Sequence, residues 1–125
     1  MWKSKPDLLI FNAGKTVKKF KSSESNVAEY SKDLHKNNKC SIRFKIYYRT
    51  PLSIGITDKG KYIKMAMISG LEDILFKVTK NKILIYYDNL LCKKYSTSRL
   101  NNSFNLAVCF KNHTNAVAIL NVQED

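Results

Sequence analysis

Four lysines crowd one short segment, Lys15, Lys18, Lys19 and Lys21. Farther along, Arg43, Lys45 and Arg49 share the odd-numbered phase of an alternating stretch, with Tyr47 among them. Aligned cations with an interleaved aromatic can grip phosphates, and the ring can stack on a base or a side chain. The competing explanation is a solvated outer face, on which Lys and Arg also blunt an edge strand. These residues are the sequence's candidates for contact with a partner or an anion.

Other chemistries find weaker footing. His35 and Cys40, with Cys109 and His113, bring zinc-ligand types together, but neither pair has the close spacing of a structural zinc site. Cys40 and Cys109 fall in apolar runs, where a thiol behaves as a small hydrophobe. No nucleophile elbow, phosphate loop or His-Glu-x-x-His sequence occurs. The acids Asp58, Glu72, Asp73 and Asp88 mostly occupy turn-like places, and turn chemistry accounts for them without catalysis. The expectation is a chain that is not an enzyme and uses no cofactor or metal.

The bulk composition agrees with a binding role. The 125 residues suit one domain, 1–125, with a modest core, and the 44% hydrophobic content is globular. Lys and Arg number 22 against 10 Asp and Glu, a formal charge of +12 that favours anionic partners. Nucleic acid, an acidic lipid headgroup and an acidic protein segment all fit that charge. An odd cysteine count without a Cys-x-x-Cys pair argues for a reducing, cytoplasmic setting. The first residues carry no apolar signal core, and no run approaches the length of a membrane span.

The elements that must hold these residues read as strands. Ile42, Phe44, Ile46 and Tyr48 alternate with Arg43, Lys45, Tyr47 and Arg49, the period of a strand with one face buried. Leu52, Ile54 and Ile56 restart the pattern after Pro51, and Asp58-Lys59-Gly60 turns into an apolar run over 62–68. Runs 74–78 and 83–87 form a hairpin around Lys80-Asn81, and Asp88-Asn89 makes a second tight connection to Leu91, Lys93 and Tyr95. Runs 104–110 and 116–122 are expected to form a hairpin with a longer loop. Nearer the start, 7–11 is a short strand, Asn12-Ala13-Gly14 a turn, and Val17 with Phe20 another strand. Segment 26–36 stays open between a short helix, capped by Asn26 and Glu29, and an irregular edge strand. Many short strands with turns between them predict an all-β antiparallel sandwich, jelly-roll or SPRY-like.

The order of these pieces resembles the Neuralized homology repeat, a family of SPRY-like β-sandwiches. Gly14-Lys15-Thr16-Val17 is similar to the family's opening. Pro51-Leu52-Ser53-Ile54-Gly55-Ile56-Thr57 resembles its Leu-x-Ile-Gly-Val-Thr strand, and 83–89 its later hairpin. Runs 104–110 and 116–120 resemble its closing strands. The tryptophans usual in the family are missing, since Trp2 is the only one here.

The resemblance implies a peptide-binding adaptor working through loops at one end of the sandwich. Members act at centrosomes or in Notch-ligand trafficking, which would extend the location to the centrosome or nucleus. The expected partner is another protein, met through an acidic or Asn-containing segment. Nucleic acid and phosphoinositide or other anionic lipid are the alternatives, and an exposed edge strand offers a route to a homodimer.

Overall fold

The computed structural model describes residues 1–5, 8–19, 27–47, 52–68, 72–110 and 116–124. Twelve strands are assigned among them: β1 (Leu8–Phe11), β2 (Thr16–Lys19), β3 (Val27–Glu29), β4 (Leu34–His35), β5 (Cys40–Tyr47), β6 (Leu52–Asp58), β7 (Lys61–Ile68), β8 (Glu72–Thr79), β9 (Lys82–Tyr87), β10 (Leu90–Ser96), β11 (Ser103–Phe110) and β12 (Ala116–Glu124). A seven-stranded sheet runs β1-β2-β12-β5-β8-β9-β10, and a five-stranded sheet holds β3-β11-β6-β7, with β4 also paired to β11. Every strand pairing is antiparallel. The two sheets enclose one core and form a β-sandwich.

Period-two alternation drives the assembly. In β5, Cys40, Ile42, Phe44 and Ile46 are buried while Ser41, Arg43 and Lys45 are half-buried on the outer face. Phe44, Ile42, Phe76 and Ile85 from the first sheet meet Ile54, Ile56, Leu106 and Phe110 from the second in one hydrophobic cluster. Each such side chain contributes roughly 1.5–3 kcal/mol by leaving water, so the inward phase of the pattern fixes the strand register.

The hairpin turns follow from left-handed backbone. Lys59 (φ 51°) and Gly60 (φ 78°) close β6 on β7, and Asp88 (φ 47°) and Asn89 (φ 70°) close β9 on β10. Both two-residue loops match the twist of the strands they join. Gly55 answers a different need. A Cβ there would lie 1.9 Å from the Ile63 carbonyl oxygen, beside the register shift between Ile54 and Gly55.

The structure corrects one expectation, the hairpin of 104–110 with 116–122, and decides two readings that the sequence left open. Segment 27–36 holds β3 and β4 and no helix, because Ala28 and Leu34 reach the core from strands laid on β11. Runs 104–110 and 116–122 do not form a hairpin. β11 joins β6 in one sheet, while β12 joins β5 and β2 in the other. The lysine and arginine of β5 do not guard an edge either, since β5 is central, between β12 and β8. No helix among the described residues is long and apolar enough to cross a membrane.

Trp2 carries a structural duty that its place in the sequence hides. Its side chain is 1% exposed, it bridges to Tyr30, and the two rings meet edge to face at 5.4 Å. Trp2 thereby anchors residues 1–5 to the core, while Met1, Lys3 and Ser4 stay exposed.

Candidate functional site

The outer face of the seven-stranded sheet carries the candidate site. Strand partners share a face, so the registers define rows of side chains across it. One row is Leu9, Lys18, Ala116 and Tyr47. The next is Phe11, Thr16, Ala118, Lys45 and Asp73. Thr16, Ala116 and Ala118 are the small residues within these rows, Lys18 stands beside Ala116, and Phe11 and Tyr47 are large flanks. The result is a groove of about 390 Å³, floored by Thr16, Ala116 and Ala118 and flanked by Phe11 and Tyr47. Three inter-strand steps separate β1 from β5, which spaces these flanks roughly 14 Å apart.

The turn before β2 frames one end. Asn12, Ala13 and Gly14 take left-handed backbone in succession, with φ of 55°, 58° and 81°. A Cβ on Gly14 would sit 2.4 Å from the Met1 Cβ, so the turn needs glycine there for space as well as for φ. The Lys15 carbonyl accepts the Trp2 indole N–H at 2.9 Å and the Ile119 amide at 2.9 Å. The Trp2 amide donates to the Gly14 carbonyl at 3.0 Å, and the Asn12 side-chain amide donates to the Thr16 hydroxyl at 3.1 Å. With its backbone held from both sides, Lys15 leaves its side chain exposed at the groove.

The far flank pairs charge with an aromatic ring. The Lys45 ammonium lies 5.7 Å from the centre of the Tyr47 ring, a contact worth about 0.5–1 kcal/mol at an exposed site. Tyr47 and Phe11 are each 39% exposed, and Leu120 is 48% exposed. Leu120 is the extra residue at the bulge in β12, between Ile119 and Asn121, which brings it into the lining beside Ile119. Arg43 stands one row farther, between Asn121 and Leu75.

The sequence candidates therefore divide. Lys15, Lys18, Lys45 and Tyr47 gather on the groove face, with Arg43 beside them. Lys19 does not belong there. It follows Val17 in phase, points to the inner side of β2, and is 3% exposed. Lys21 and Arg49 lie outside the described residues. Sequence reasoning missed Phe11, Thr16, Ala116, Ala118 and Leu120. The small outward residues of a central strand, Ala116 and Ala118, were the available signal for the floor; the bulge at Leu120 left none.

Other polar groups serve local structure. Glu29 accepts hydrogen bonds from Lys3 and Thr57. Burial works against its ionisation, but those bonds and the charges of Lys3 and Lys5 prevail and hold the carboxyl below the usual range. Burial raises the Tyr62 phenol to about 12, against the opposing hydrogen bond with Ser53 at 2.7 Å. Asp58 accepts from the Asn101 amide groups at 2.7 and 3.2 Å. His35 is exposed, Cys40 is buried, Cys109 is half-buried and His113 lies outside the described residues. Among the described residues no three His, Cys, Asp or Glu side chains cluster as metal ligands.

Solved structures share this architecture. The SPRY domain of human HERC1 superposes with a TM-score of 0.67 at 8% identity, covering 91% of this chain and 92% of that one. The PSpry domain of TRIM65 gives 0.62 at 6% identity, over 92% and 86%. Alginate lyase AlgAT5, of polysaccharide lyase family 7, gives 0.55 at 12% identity, over 98% and 83%. At these identities the likeness is one of fold, and the fold is a SPRY-like antiparallel β-sandwich. No protein-family model matches the chain, and no curated protein matches it in sequence.

Proposed function

We propose that this chain is a non-catalytic recognition module, a divergent Neuralized homology repeat that docks an acidic or Asn-containing segment of another protein in the cytoplasm. The observation that carries the proposal is the groove between Phe11 and Tyr47 with cations on its rim. Lys15, Lys18, Arg43 and Lys45 share that face, and Asp73, the cross-strand neighbour of Lys45, offsets them only in part. Arg43 and Lys45 have no ion-pair partner among the described residues. An apolar trough with a cationic rim suits a peptide that alternates apolar and acidic residues. The strand motifs shared with the Neuralized repeat and the SPRY-domain likeness lend support.

The test is affinity capture from extract with the chain and its Lys45→Glu/Tyr47→Ala variant. A discrete protein held by the first, lost with the variant and released by salt, supports the reading. Capture of nucleic acid alone, sedimentation with acidic liposomes alone, or equal capture by the variant defeats it.

A further inference from the structure

β10 is the edge strand of the larger sheet, and it lies near β7 at the edge of the smaller one. The register with β9 sets Lys93 opposite Ile85 and Tyr95 opposite Ile83, both of which are core residues. Leu91 and Lys94 pair with Tyr86 and Leu84 on the other face. Every residue of β10 is nevertheless exposed, with Leu90 at 72%, Leu91 at 48% and Tyr95 at 39%. The strand is a ledge, wet on both faces, and its far edge pairs with no strand among the described residues. One hollow beside it is lined by Ile63, Lys94, Tyr95, Arg99 and Leu100, another by Asn81, Lys82, Lys94 and Tyr95.

Such an edge presents a row of unpaired backbone donors and acceptors and is a template for one more strand. Charge decides what that strand is. A second copy seated antiparallel about Lys93 would bring the two lysine pairs together in a chain of net charge +12, and like charges directly opposite are destabilising. Neither Lys93 nor Lys94 has an ion-pair partner among the described residues. We propose that the β10 edge receives an extended acidic segment of another protein as an added strand. Two adjacent acids face Lys93 and Lys94 on opposite sides of the ledge, and apolar residues to either side of them rest on Leu91 and Tyr95. Backbone hydrogen bonds supply affinity, and the charge pattern selects the segment. This surface is separate from the groove, because β8 and β9 stand between β5 and β10.

The test uses the intact chain and a fluorescein-labelled, end-capped peptide with two adjacent glutamates flanked by valine and leucine. Saturable binding is expected. It should weaken at least tenfold in Lys93→Glu/Lys94→Glu, stay within twofold in Tyr47→Ala, and slow amide exchange along β10 in the unsubstituted chain. The slowed exchange tests the proposal even where the charge-reversed variant fails to fold. No binding, no slowing along β10, or loss of binding in Tyr47→Ala overturns the proposal. So does a dimer in sedimentation whose β10 amides are already protected. Loss in Tyr47→Ala would instead place the peptide in the groove, which separates the two sites.

Discussion

The indole of Trp2 donates to the carbonyl of Lys15 at 2.9 Å, so the only tryptophan of the chain holds the turn that presents a candidate binding lysine. Trp2→Phe keeps most of the bulk and removes that bond, with an expected loss of about 1 kcal/mol. Trp2→Ala leaves a cavity and is expected to cost about 3–5 kcal/mol. Urea unfolding followed by circular dichroism measures both.

Two glycines make a contrasting pair. Gly55→Ala forces a methyl against the Ile63 carbonyl, and overpacking against backbone is expected to cost about 3 kcal/mol. Gly60→Ala meets nothing within 4 Å and bears only the cost of left-handed backbone, about 1 kcal/mol. The difference in unfolding midpoint between the two variants checks the bulge at Gly55.

Ala118→Leu extends a side chain from the groove floor toward open space. Fold stability should change by less than about 1 kcal/mol, because the added atoms enter a hollow and do not displace core. Capture of the groove's partner should be abolished. Unchanged capture with an unchanged unfolding curve would move the binding site elsewhere on the sandwich.

The pH dependence has two arms. Glu29 has a lowered carboxyl in the folded chain, so its contribution is complete above the ordinary carboxylate value. That contribution is lost as pH falls from about 4.3 through the lower folded value. Glu29→Gln should flatten the acid side of the stability profile. Tyr62 has a raised phenol, about 12. Its contribution is complete below about 10 and is lost as pH rises toward the folded value, because the unfolded chain ionises first. Phenolate absorbance should show a late-titrating tyrosine that disappears in Tyr62→Phe.

Most of the strands were legible, and the reason is visible in β5. The outward phase, Arg43, Lys45 and Tyr47, and the inward phase, Ile42, Phe44 and Ile46, announce both the element and its faces. Partnership was not legible. In β11, Leu106, Ala107 and Val108 are all buried, as are Val117, Ala118 and Ile119 in β12. Runs without alternation reveal neither which sheet they join nor which strand they join there. The site was half legible for the same reason. Its cations alternate with apolar neighbours and stand out, whereas Phe11, Thr16 and the alanines gain meaning only through the β1-β2-β12-β5 order. Lys19 was misplaced because a cluster counted along the chain ignores the phase of the strand that carries it.

The groove is built from Phe11 to Thr16 and from Ala116 to Leu120, stretches that about a hundred residues of chain separate. A nascent chain still lacking β12 has neither the alanine floor nor the bridge between β2 and β5. The groove therefore exists only once β12 has been made, and a chain cut short before Ala116 would lack it.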